Sequence, residues 1–220
     1  MEETFVSVGL FDQFAIFMRE GGPFMFVIAI AWAIGMAIAL ERFWKLSFTY
    51  NVDGASFMNE IQRYVLSNDI QGAIRVCSGT LAALPKVLKS GLQRYNQTPE
   101  QIQNAIDATS LEVIPRLELR LNYLQLIANI ATLLGLLGTI SGLRASFAAA
   151  AAVDPQQRAE MLTQGIAIAM NTTYLGLVVA VIIMVLHAFL ASKAEKITSE
   201  IDEYSVKLMD LIGTKKVKEE

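Results

Sequence analysis

The 220-residue chain carries 18 Lys and Arg against 21 Asp and Glu, a formal net charge of −3, and 54% of its residues are hydrophobic. Charged residues amount to 18%, below the roughly 25% usual in soluble domains, so the composition points to a membrane and offers nucleic acid no basic footprint. Cys77 and His187 are the single Cys and single His; they exclude an intrachain disulfide and a Cys/His zinc cluster built by one chain, and both read as packing residues.

The acidic start Met1-Glu2-Glu3-Thr4 lacks the basic region of a secretory signal, which predicts that the first apolar block is retained. Residues 1–22 are read as a periplasmic or interfacial N-terminal segment, with an interfacial helix over Val8 to Met18. Transmembrane helix 1 is placed at 23–46. Its stretch from Phe24 to Leu40 holds no charge, it approaches the roughly 20 residues that cross a hydrocarbon core, and it closes on the basic and aromatic anchor Glu41-Arg42-Phe43-Trp44-Lys45.

Residues 47–119 form a helical cytoplasmic segment, in which Phe57, Ile61, Tyr64, Val65, Ile70 and Ile74 repeat at helical spacing. Pro85 divides it, and Thr98-Pro99-Glu100 starts a new helix. From Pro99, Ile102, Ile106, Val113, Leu117 and Leu121 continue without a Gly, so one long helix bent at Pro115 is expected to run into the second span. Transmembrane helix 2 is placed at 120–147, a periplasmic loop at 148–164 with its turn at Asp154-Pro155, transmembrane helix 3 at 165–192 and a cytoplasmic C-terminal helix at 193–220. In that last helix Ile197, Ile201, Tyr204, Leu208 and Leu211 form a stripe that suits either the chain's own cytoplasmic segment or an oligomer contact.

Basic residues orient the whole. Arg19, Arg144 and Arg158 are the three on one side, while nine lie from Arg42 to Arg120 and six from Lys193 onward. The positive-inside rule places the fifteen in the cytoplasm, N-terminus out and C-terminus in. The fold class is therefore all-α, an integral membrane protein with three transmembrane helices and a helical cytoplasmic segment.

The second span carries Ala128, Ala131, Gly135, Gly138, Gly142 and Ala145 at steps of three and four, one stripe of small residues that lets a neighbouring helix approach closely. Displaced by about 100° is a second stripe, Asn129, Thr132, Leu136 and Thr139. The third span repeats the pattern with Gly165, Ala169, Thr172, Gly176 and Ala180 and adds the polar run Asn171-Thr172-Thr173. Polar groups at this depth are costly unless they face protein or water. Single hydroxyls in a span commonly bond to their own backbone, but two spans with matching small and polar faces point to an enclosed interior.

Leu134-Gly135-Leu136-Leu137-Gly138-Thr139-Ile140-Ser141-Gly142-Leu143, followed by Phe147, is similar to the Gly-Leu-x-Gly-Thr-Val-x-Gly pattern of the ExbB/TolQ/MotA family. Gly165-Ile166-Ala167, Ala169, Thr173, Gly176-Leu177 and Ala180 resemble its partner span, and Ile38-Ala39-Leu40-Glu41-Arg42 resembles the Ile-Glu-Arg ending of ExbB and TolQ. Three spans in place of MotA's four put the likeness with the ExbB/TolQ branch. The resemblance implies a pentameric homo-oligomer in a bacterial inner membrane whose second and third spans line a pore. It also implies a single-span ExbD/TolR-like partner that supplies a proton-binding Asp, and a TonB/TolA-like protein as the recipient of work. The carried ion would be H+, with no cofactor and no metal. The span cores hold no Asp, Glu, Lys or Arg, which accords with a carrier from another subunit. Thr173 is the first candidate for the ion pathway, followed by Thr172, Asn171, Thr139, Thr132 and Asn129. Ile130 and Ile168 stand where ExbB and TolQ usually place a Thr and a Glu. The alternatives are a non-conducting scaffold that assembles an envelope complex and, disfavoured because no span holds a nucleophile-base pair or paired acids, a membrane-embedded enzyme.

Overall fold

The computed structural model describes residues 17–18, 22–50 and 52–219. The segment 1–22, with its expected interfacial helix, lies outside them but for Phe17, Met18 and Gly22. In chain order the helices are α1 (Pro23–Trp44), α2 (Gly54–Leu66), α3 (Ile70–Ser78), α4 (Ala83–Leu92), α5 (Pro99–Glu118), α6 (Leu121–Ala151) and α7 (Pro155–Glu219). Among the described residues the fold is all-α, and three helical stretches are long and apolar enough to cross a membrane.

The chain divides into two units. One comprises residues up to Ala39 together with Tyr123–His187. Here α1, α6 and α7 pack on one another: a Cβ on Gly35 would stand 2.7 Å from Ile183 Cδ1 and 3.4 Å from Ile127 Cγ2, so the first span needs Gly to meet both others. Met25 and Ile28 are fully buried in this unit, while Phe26, Ile30, Leu133, Ile140, Val181 and Val185 point outward. An apolar exterior of this kind matches lipid.

The other unit comprises Leu40–Asn122 and Ala188–Glu220. Its helices begin on local capping chemistry. Asp69 Oδ1 accepts from Gly72 N at 2.7 Å to start α3, and Thr98 and Gln101 exchange reciprocal bonds of 3.3 Å at the start of α5, which satisfies amides the helix leaves without partners. Pro85 lies in the first turn of α4, where a missing N–H costs nothing. The core includes Ile61, Val65, Val87, Leu88, Leu92, Ile102 and Ile106. Ile197, Ile201, Tyr204, Leu208 and Ile212 of α7 are buried in the same core. The C-terminal stripe therefore packs against its own chain, and its final buried position is Ile212, with Leu211 only half-buried.

The expected single helix through Pro115 is corrected. Helix α5 passes Pro115 and stops at Glu118; Leu119 is extended and Arg120 takes a left-handed φ of +67° before α6 begins. A non-Gly residue in that conformation costs about 1 to 2 kcal/mol, and side-chain bonds hold it there: Arg120 Nη1 pairs with Glu41 Oε2 at 2.6 Å, and Glu41 Oε1 accepts from Lys45 Nζ at 2.7 Å. The acidic and basic ending of the first span thus clamps the junction. Beyond α6 only Ala152 to Asp154 separate the helices, so most of 148–164 is helical.

Candidate functional site

Helices α6 and α7 run antiparallel, and their small residues set the register. A Cβ on Gly176 would lie 2.6 Å from the Ala131 carbonyl oxygen and 3.0 Å from Gly135 Cα, and one on Gly135 would lie 3.2 Å from Thr173 Cα. One on Gly138 would meet the Thr172 methyl, one on Gly142 would stand 2.7 Å from Ala169 Cβ, and one on Gly165 would strike Ser146 Oγ. Ala128, Ala131, Ala169 and Ala180 are buried. The stripe opens toward the turn between α6 and α7, where Gly142 is half-buried and Ala145 exposed. Backbone-to-backbone approach of this kind is how small residues join membrane helices.

The close approach assembles a polar cluster. Thr173 Oγ1 donates to the carbonyl of Gly135 at 2.8 Å, Thr139 Oγ1 lies 3.1 Å from the same oxygen, and the two hydroxyls are hydrogen-bonded to each other. Gly135 O also takes the helical N–H of Thr139, leaving one lone pair for the hydroxyls. One hydroxyl therefore donates to the carbonyl and the other to the first hydroxyl. Both protons are used, and what the pair retains is acceptor capacity. Thr139 and Thr173 are both half-buried.

The other candidate residues are placed differently. Thr172 is buried with its methyl against Gly138, so it belongs to the packing face. Thr132 turns back to the Ala128 carbonyl at 3.2 Å, Asn129 is exposed with Oδ1 accepting from Gln125 at 3.4 Å, and Asn171 is half-buried. Thr132 and Asn129 thus bond within their own helix and not to the Thr139–Thr173 pair. Ile130 is exposed and Ile168 half-buried, so each fills its position with apolar surface. The Gly135 carbonyl escaped the sequence reading because a backbone acceptor has no sequence signal of its own; the nearest hint was the glycine that exposes it.

The decisive comparison is with families. Residues 80–203, more than half of the chain and all of the hairpin, match the MotA/TolQ/ExbB proton channel family. The chain belongs to that family. It is also 25% identical over 197 residues to a protein of Methanothermobacter thermautotrophicus named as an ExbB homolog of biopolymer transport, covering 89% of this chain and 68% of that one. Membership makes this a membrane protein of a proton-channel class, not of an enzyme class. The family match includes Thr139, Gly135 and Thr173, which sit within the segment 80–203.

Proposed function

We propose that the chain is the channel or stator ring subunit of an ion-motive-force-driven motor in the inner (cytoplasmic) membrane. It works as a homo-oligomer of five copies, N-terminus out and C-terminus in, around a single-span ExbD/TolR-like partner. That partner supplies the ion-binding Asp, and H+ flow through the complex does work on a TonB/TolA-like envelope protein. Family membership and the named relative support the class. The observation that carries the reading is the Thr139–Thr173 pair, two hydroxyls on the Gly135 carbonyl in spans whose cores hold no Asp, Glu, Lys or Arg of their own.

Since both hydroxyl protons are committed, the resting pair accepts a hydrogen bond from a protonated carboxyl and has no donor to offer a carboxylate. When the partner's acid releases its proton, Thr173 must turn its O–H from Gly135 to the new anion, and the exchange couples protonation to helix contact. Each elementary charge crossing 100 mV releases about 2.3 kcal/mol, more than the roughly 0.6 to 2 kcal/mol of one membrane hydrogen bond. The ion gradient can therefore drive that exchange.

The test is Thr173→Val beside Thr173→Ser, with oligomer yield and ion-motive-force-dependent proton flux measured in the presence of the single-span partner. Valine should assemble and fail to conduct, and serine should conduct. A valine variant as active as the parent makes Thr173 a packing residue. Native mass spectrometry in mild detergent tests the ring, which a monomer contradicts, and end-specific protease access tests the orientation, which two ends cut from the same side contradict.

A second reading is favoured by the same satisfied hydroxyls: a non-conducting scaffold whose glycine faces only assemble other subunits. It expects Thr173→Val to keep full function while Gly138→Leu abolishes assembly.

A further inference from the structure

A cavity of about 460 Å³ opens in the unit made of Leu40–Asn122 and Ala188–Glu220, a size within the range of small-ligand sites. Its wall includes Thr49, Thr80, Leu81, Lys86, Lys89 and Arg116. Lys86 Nζ and Arg116 Nη2 share a single carboxylate oxygen, Glu112 Oε1, at 2.9 and 2.8 Å. Lys89 has no salt bridge among the described residues. Three cations therefore face one carboxylate, a surplus of two positive charges around one hollow. Lys86 is 45% and Arg116 58% exposed in the side chain, so their remaining N–H donors are open to a ligand.

The position of the cavity selects among anions. Thr49 ends the short π-helical turn Lys45–Thr49 that continues from α1, and Arg116 lies in the last turn of α5, just ahead of α6. Leu81 on the wall is 84% exposed; outside the wall, in the segment that leads to Thr49, Trp44 and Phe48 are 66% and 67% exposed, with their rings 5.0 Å apart. A basic hollow whose wall also holds the exposed Leu81 and the aromatic Tyr50, in the segment that leaves the first span, matches a lipid headgroup better than a fully hydrated ion.

We propose that this cavity binds a phosphate-bearing anion, presented as the headgroup of an acidic phospholipid. Lys86, Lys89 and Arg116 hold the phosphate, Leu81 and Tyr50 meet the glycerol and first methylenes, and Glu112 sets the affinity by competing for two of the three cations. The site is separate from the hairpin, and its test does not depend on the ion-path reading.

The intact protein in mild detergent is titrated with phosphatidylglycerol and, as control, phosphatidylcholine of the same acyl chains. Binding is read by native mass spectrometry, and amide exchange over residues 78–89 localises it. Phosphatidylglycerol should bind more tightly than phosphatidylcholine and slow exchange in that segment. The double substitution Lys86→Gln with Lys89→Gln should weaken phosphatidylglycerol on the order of 20-fold, and Glu112→Gln should strengthen it, both with unchanged oligomer mass and unfolding midpoint. Equal affinity for the two lipids, or both variants binding like the parent, overturns the proposal. A third arm uses inorganic phosphate alone. If it protects residues 78–89 at millimolar concentration while phosphatidylglycerol does not, the ligand is a soluble anion and the headgroup assignment is wrong.

Discussion

Arg42 Nη1 donates to the backbone carbonyl of Arg116 at 3.3 Å, joining residues 74 positions apart in the chain. In an unbroken helix that carbonyl would accept from residue 120; because α5 stops at Glu118, it is an orphan that the buried guanidinium caps. Glu41 and Arg42 thus act on the same break from neighbouring positions, one on the Arg120 side chain and one on the helix end.

Arg42→Met should lower stability by about 1 to 3 kcal/mol through the uncapped carbonyl, and Arg42→Ala by more, because it also leaves a cavity at a residue only 1% exposed. The order parent, Met, Ala in the midpoint of an SDS unfolding titration checks this. An alanine variant as stable as the parent refutes it.

Gly176→Ala should cost about 1 to 3 kcal/mol, as overpacking does, because its new Cβ would stand 2.6 Å from a backbone oxygen of α6 that cannot move aside alone. The control is Gly213→Ala, where nothing lies within 4 Å and helix propensity favours alanine by up to about 1 kcal/mol. Measured together, the two substitutions should change stability in opposite directions; a shared sign would mean that the hairpin does not depend on that approach.

Ile201 is fully buried among the chain's own helices, while Val206, on the same helix, is 69% exposed. Ile201→Ala should cost about 2 to 5 kcal/mol without changing oligomer mass, and Val206→Ala should leave both untouched. Loss of the oligomer at unchanged subunit stability in Ile201→Ala would reassign the stripe to an interface between copies.

Burial pushes the Cys77 thiol up to about 12, so the reactive thiolate is scarce in the folded protein at neutral pH. Alkylation by iodoacetamide at pH 8 should be slow until denaturant is added; rapid labelling of the folded protein would contradict the burial. Since the folded value lies above the unfolded one, the stability Cys77 contributes is intact below pH 9 and is lost as pH rises from about 9 to about 12. Cys77→Ser should shift the onset of alkaline unfolding accordingly.

The three spans were legible because length and absence of charge are enough for a helix to cross lipid, and the small-residue stripes were legible because a helix fixes which positions share a face. Periodicity singled out Thr139, and the polar run with the family resemblance singled out Thr173, but neither could pair them: that depends on the antiparallel register of α6 and α7, set where Gly135 and Gly176 let the backbones meet. Periodicity did set Thr172, on the small-residue stripe, apart from its neighbour Thr173, and the two point into the packing face and the polar cluster respectively. The stop after Glu118 carried no Gly or capping signal, since a left-handed Arg120 is tolerated only with Glu41 and Arg42 brought up from the first span. Burial and periodicity are properties of one helix and can be read along it; hydrogen-bond partners distant in sequence exist only once the helices are packed.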